Sequence, residues 1–195
     1  MELFDSSTIM SFFLGIGLAA SAGFRVFLPL FALSLGAHFG QDIINLNETW
    51  QWVGSWPAII TLGIAMVAEI IAYYIPVVDN FLDTIAIPLA AIAGTLLMAS
   101  TLLDMNEIAT WALAIIAGGG TAAAVSGTTA ATRAVSTGTT AGTGNFVVNT
   151  GETAAASVLS ITSFIWAPLA FVLVLILLYF IYRLWRWAKK KTLTE

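Results

Sequence analysis

The chain has 195 residues, of which 59% are hydrophobic and only 9% charged, with a net charge of -4. A soluble domain carries roughly a quarter charged residues, so this chain has too few to coat a water-facing surface, and the composition specifies one helical integral membrane domain. With no cysteine and a single histidine, His38, the sequence excludes disulfides, cysteine nucleophiles and thiolate- or histidine-built metal sites.

Five of the seven basic residues lie between Arg183 and Lys191. The positive-inside rule then places the C-terminus in the cytoplasm. No other basic surface exists, which removes nucleic acid as a partner. The segment from Met1 to Thr8 is acidic and lacks the basic n-region of a cleaved signal peptide, so the first hydrophobic segment is expected to stay in the protein.

The first apolar segment runs from about Thr8 to Ala37. A continuous helix of that length reaches roughly 45 Å, against roughly 30 Å of hydrocarbon. It must tilt, protrude or break, and Gly15, Gly17, the Ser21-Ala22-Gly23 cluster and Pro29 are break signals. Arg25 sits between the last two. From His38 to Ser55 the chain turns polar, and Trp50, Trp52 and Trp56 mark the membrane–water boundary. His38 is expected to be a solvated loop residue.

The second span, from about Pro57 to Ile75, holds Glu69 at membrane depth. It needs a partner or a proton, and the expectation is an inward-facing pair with Arg25 or Arg133. The Tyr73–Thr84 stretch follows, with Asp79, Asn80 and Asp83. Asp79 or Asn80 can cap the next helix, with Asp83 in its first turn. The two aspartates, four apart, can equally bind a cation or meet an arginine. The third span runs from about Ile85 to Leu103.

The fourth segment begins at Ile108 and enters the stretch from Ala117 to Gly144, which is Ala, Gly, Ser and Thr except for Val125, Val135 and Arg133. Small residues let backbones approach closely in lipid, so this stretch belongs at the centre of a bundle. An arginine at membrane depth is a functional hypothesis by default. Ala134 to Gly151 is open between helix, re-entrant segment and loop. Gly138 and Gly142 have a spacing that permits helix dimerisation, and so a homo-oligomer, but close packing within the chain explains it equally well. The last span runs from about Ser157 to Tyr182, with Asn149 and Glu152 at capping-box spacing before it.

The two arginine segments resemble each other. Ser21-Ala22-Gly23-Phe24-Arg25-Val26 aligns with Thr129-Ala130-Ala131-Thr132-Arg133-Ala134, and spans opened by Trp56-Pro57 and Trp166-Ala167-Pro168 follow. With one span between, the second unit is expected to be inverted, a plan that places sites near the midplane at broken helices. The expected fold is an all-α membrane bundle of about five, or six, transmembrane helices. It comprises a first repeat over about 8–76, a linking span over about 84–103, a second repeat over about 108–187 and a basic tail over 188–195.

The SAGFRVFLPL, IPVVDNFLD and GGGTAAAVSGTTAATRAVSTGTT segments together resemble an uncharacterised bacterial membrane family, domain of unknown function 4126. Its matching features fall on Arg25, Asp79, Asp83 and Arg133. The resemblance implies a multi-span protein of the bacterial inner membrane and no established activity.

Three functions are weighed. The first is a transporter or channel for a small polar, anionic solute, with Arg25 and Arg133 binding it, Glu69 neutralising them or carrying a proton, and Asp79, Asp83 and Asn80 forming a gate or ion site. The second is a non-catalytic membrane scaffold whose buried charges are structural. The last is a metal-dependent enzyme of lipid headgroups, ranked lowest because two acids around a turn are few for such chemistry and no nucleophile with an adjacent base is visible. The first reading needs no cofactor; its partners are the bilayer and the solute.

Overall fold

The computed structural model describes residues 6–40, 46, 48–103 and 105–192. The helices among them are α1 (Ser6–Ala22), α2 (Phe27–Phe39), a 3-10 segment (Glu48–Gly54), α3 (Trp56–Ala72), α4 (Pro76–Thr101) and α5 (Glu107–Leu113). A π-helical segment (Ala114–Gly119), α6 (Gly120–Thr140), α7 (Asn145–Ile165) and α8 (Ala167–Thr192) complete the order. Among the described residues, three stretches are long and apolar enough to cross a membrane: Val77–Thr101, Glu107–Thr140 and Ala167–Lys189. Shorter apolar helices, α1, α2 and α3, accompany them.

The first overlong segment breaks. Helical bonding stops at Gly23, whose backbone lies against α6: a Cβ there would stand 2.7 Å from the Ala122 carbonyl oxygen. After Val26 the chain doubles back. Leu33 of α2, with Leu46 and Val53 beyond it, joins Leu18 of α1 and Leu97 of α4 in one apolar cluster. Pro29 falls in the first turn of α2, where its missing N–H breaks no intrahelical bond.

The second overlong segment remains one rod from Glu107 to Thr140, loosened by the π-helical segment. There it crosses α4 at backbone distance. A Cβ at Gly118 would stand 2.5 Å from the Gly94 carbonyl oxygen, and one at Gly94 2.7 Å from that of Gly118. The threonine-rich continuation is helical, and its hydroxyls are satisfied by carbonyls of their own helix: Thr128 bonds to Ala124, Thr132 to Thr128 and Thr140 to Ser136. Ala141 (φ 53) and Gly142 (φ 87) then turn the chain into α7. Residues 134–151 are therefore helix, tight turn and helix. Gly138 and Gly142 do not share a helix face, because α6 ends at Thr140.

Close contacts fix the helix directions. Gly15 of α1 faces Met98 and Thr101, Gly94 faces Ala122, and Ile87 faces Gly127, so α4 runs antiparallel to both α1 and α6. Ser21 bonds Ala156 and Ser160 while Gly17 faces Ser163, so α7 opposes α1. Phe13 stacks on Phe171 at 4.4 Å and Trp185 reaches Thr128, so α8 runs with α1 and α6. The arginine-bearing helices α1 and α6 thus point the same way, each followed by a returning helix. This corrects the expected inverted relation. The first segment turns back at Gly23–Val26 instead of crossing once, which adds a reversal and restores the original direction.

Two further expectations are corrected. The last span is two antiparallel helices hinged at Trp166, since Pro168 follows the hinge and starts a new helix. His38 lies in the last turn of α2, bonded through Nδ1 to the Gly54 carbonyl at 2.7 Å and tilted against Trp56.

Candidate functional site

Several helix ends converge where α1 breaks: the turn after α1, the end of α3, the start of α4, the last third of α6 and the first half of α7. Arg25 and Arg133 are each 1% exposed. The break at Gly23–Val26 sets Arg25 at the tip of a hairpin, and the small residues of α6 admit Arg133 between helices.

Glu152 joins the two. Its Oε2 lies 3.2 Å from Arg25 Nη1 and 3.3 Å from Arg133 Nη1. Arg133 Nη2 also pairs with Asp83 Oδ1 at 2.7 Å, and its Nη1 is 3.7 Å from Asp79 Oδ1. Asp79 and Asp83 reach the same guanidinium because four residues separate them on α4, the spacing of one helix face. Asp79 stands in the first turn of α4, so the dipole favours it there while its side chain serves the arginine. Of the readings open for this pair, meeting an arginine is the observed one.

Arg25 is held further by hydrogen bonds from Nε to Thr153 Oγ1 at 3.0 Å and from Nη2 to the Asn149 carbonyl at 2.9 Å. The Tyr73 ring lies against both cations, its centroid 4.1 Å from Arg25 Cζ and 4.6 Å from Arg133 Cζ. A ring face beside two guanidiniums offsets part of their mutual repulsion. Asn149 fixes the ring's backbone by donating Nδ2 to the Tyr73 carbonyl at 2.5 Å, and its Oδ1 accepts from Arg133 Nη1 at 3.4 Å.

Glu69 does not pair with either arginine. Its two oxygens accept the backbone N–H groups of Val26 at 2.7 Å and Phe27 at 2.9 Å. The break leaves the first amides of α2 without intrahelical acceptors, and a carboxylate is the strongest available cap for them. Glu69 thus holds the hairpin that presents Arg25. Asn80 is exposed and takes no part in the arginine network.

A cavity of about 260 Å³ lies over the cluster. Tyr73, Asp79, Asn145 and Asn149 reach its wall from the cluster side, and Asn80 and Thr143 also line it. Tyr74 and Phe146 bound it, their rings 4.9 Å apart.

Glu152, Asn149, Asn145 and Tyr73 are site residues beyond those expected from sequence. A signal for the first three was present. Asn145, Asn149, Glu152, Ala156, Ser160 and Ser163 recur at helical period and form the buried face of α7. The capping-box spacing of Asn149 and Glu152 points to a helix start, whereas both lie within α7.

The fold and the cluster define an all-helical protein with membrane-length apolar helices packed around buried arginine–carboxylate pairs. The chain belongs to the family described as Domain of unknown function (DUF4126), whose model matches residues 12–187. No curated protein and no solved structure matches the chain.

Proposed function

We propose that this protein is a multi-pass transporter or channel of the bacterial cytoplasmic membrane, passing a small polar solute of anionic character, with its C-terminus in the cytoplasm. The basic residues of the tail support the orientation. Trp166, just before α8, and Trp185, two turns before its end, lie roughly 28 Å apart along the axis, which suits two membrane boundaries. Trp185 donates to Thr128 Oγ1 at 3.4 Å, little more than one turn before Arg133. The cluster then sits near the tail-side boundary, and the cavity bordered by Ala141 to Thr143 faces the cytoplasm.

One observation carries the reading: a single carboxylate oxygen of Glu152 bridges two buried guanidiniums. That is the position a solute carboxylate or phosphate would take, with Glu152 as the internal anion that holds the site when solute is absent. Bound solute raises the unfolding midpoint of the folded protein by mass action. A panel of small anions, cations and metabolites is therefore tested against wild type and Arg133→Gln, followed by flux of any positive compound into vesicles. An anion that stabilises wild type, fails to stabilise the variant and crosses the bilayer only with wild-type protein supports transport. Stabilisation by no compound, with a variant that is merely less stable, overturns it.

A second reading rests on Arg25, whose Nε, Nη1 and Nη2 all have protein acceptors, and on Glu69, whose two oxygens are both occupied by backbone amides. These make the protein a scaffold whose charges hold a hairpin in place. It predicts loss of stability from every arginine substitution and no response to solute.

A further inference from the structure

Asn145 Oδ1 is buried and has no hydrogen-bond partner among the described residues. The amide cannot be turned to relieve this. Its Nδ2 donates to Asp79 Oδ2 at 3.0 Å and to Thr137 Oγ1 at 2.9 Å, and exchanging the two atoms would set an amide oxygen against a carboxylate. Asn145 is 7% exposed, Asp79 is 2% exposed, and both line the cavity of about 260 Å³. The other Asp79 oxygen has only the 3.7 Å approach of Arg133 and no hydrogen bond. The Asn145 oxygen thus lacks a donor, one Asp79 oxygen is only loosely held, and an unsatisfied buried acceptor is costly.

The surrounding charge sets the kind of donor. Arg25 and Arg133 face Asp79, Asp83 and Glu152 directly, with Glu69 behind them at the hairpin. Asp79 is the one acid of these four that lines the cavity, and it gives the cavity a place for positive charge. The lining residues include this one acid, the amides of Asn80, Asn145 and Asn149, and the hydroxyl residues Thr137 and Thr143. These are hard oxygen ligands of low total charge, better matched to a monovalent ion than to a divalent one, which draws on several carboxylates.

We propose that the cavity over Asp79 and Asn145 binds a small monovalent cation, an alkali ion or ammonium, and that this ion is coupled to the arginine cluster. It deepens the transport reading by naming the ion that accompanies the solute, although the cation site stands on its own geometry. The coupling runs through Asp79, which lines the cavity and whose oxygens meet Asn145 on one side and Arg133 on the other. A cation that draws Asp79 loosens its hold on Arg133 and leaves that guanidinium freer for an anion. Reciprocity then requires the anion to tighten cation binding.

The test uses the full chain purified in detergent. Unfolding midpoints are compared in sodium, potassium and ammonium chloride against N-methylglucamine chloride at constant ionic strength. At least one small cation is expected to raise the midpoint by about 3–5 °C for each tenfold increase above its dissociation constant. Asn145→Ala, which leaves Arg133 its acidic partners, abolishes the rise, and Thr137→Val, which removes one of the two acceptors that hold the amide in place, weakens it severalfold. Radioactive sodium or rubidium binding to wild type, saturating near one ion per chain, provides a measure independent of variant folding. Equal midpoints in all four salts with no saturable binding overturn the inference, as does an equal rise in a folded Asn145→Ala protein. An anion series at fixed cation reads the solute site separately. A cation response without an anion response leaves this site standing and defeats the solute reading; the reverse defeats the cation site alone.

Discussion

Arg25 and Glu152 pair at 3.2 Å with both side chains buried, one at the tip of the α1–α2 hairpin and the other midway along α7. The pair ties the first third of the chain to the last. Losing one partner of a buried pair leaves an uncompensated charge and costs about 3–5 kcal/mol. Glu152→Gln leaves Arg25 without a carboxylate and is therefore expected to lower the thermal midpoint sharply, whereas Arg25→Gln leaves Glu152 its Arg133 partner and should cost less. The double variant should recover part of the Glu152→Gln loss, because the unpaired Arg25 charge is gone. Strict additivity in this cycle would show that the two residues act independently.

The hairpin itself depends on Glu69. Gln in its place keeps one acceptor and loses the second, so either the Val26 or the Phe27 amide is left without its partner. Loss of such a cap is worth about 1–2 kcal/mol. Hydrogen exchange resolved by residue should show faster exchange at the first turn of α2 in Glu69→Gln, with α7 little changed. Protection lost equally across the whole chain would mean that Glu69 supports the fold globally and not this helix start.

How much of this was legible in the sequence follows from which residues carry local signals. The class, the buried arginines and the aspartate pair were legible, since apolar composition and a charge within it need no tertiary information. The Glu69 pairing was misread because a carboxylate near two arginines has an obvious partner in sequence, whereas the competing acceptor sites, two backbone amides, exist only once α1 has broken. The direction of the second repeat failed for a related reason. Gly23 and Pro29 mark a break, but whether the chain then continues or reverses is decided by the contact of Leu33 with Leu18 and Leu97. Glu152 was misplaced because small polar residues on α7 hid a clear helical period.

The crossing of α4 with the π-helical segment is a packing prediction of a different kind. Ala at Gly94 or Gly118 drives a methyl group into backbone on the opposite helix, 2.7 Å and 2.5 Å from a carbonyl oxygen respectively. Backbone cannot swing aside as a side chain can, so each substitution should cost about 1–3 kcal/mol. Gly120→Ala is the control, since nothing lies within 4 Å of its added Cβ. It should be neutral or stabilising by up to about 1 kcal/mol through helix propensity. Denaturation of the three variants side by side checks the contrast, and equal losses would remove the close-approach argument.

Arg133→Lys separates charge from geometry. The guanidinium reaches Asp83 with Nη2 and Asp79, Glu152 and Asn149 with Nη1, and its flat face lies near the Tyr73 ring. An ammonium keeps the charge but is a single point with no flat face, and it cannot serve Asp83 on one side and Glu152 on the other. One of the carboxylates then loses its cation inside the bundle. The variant should therefore lose at least about 2 kcal/mol despite its unchanged charge, since a buried hydrogen bond to a charged group contributes roughly 1.5–3 kcal/mol. Adding Asp83→Asn to it should restore part of the stability, because Asp83 is the acid reached through Nη2 alone. If Lys proves as stable as Arg, the cluster requires only a positive charge at this position, and the directional bonds to Asp79 and Asp83 contribute little to holding α4 against α6.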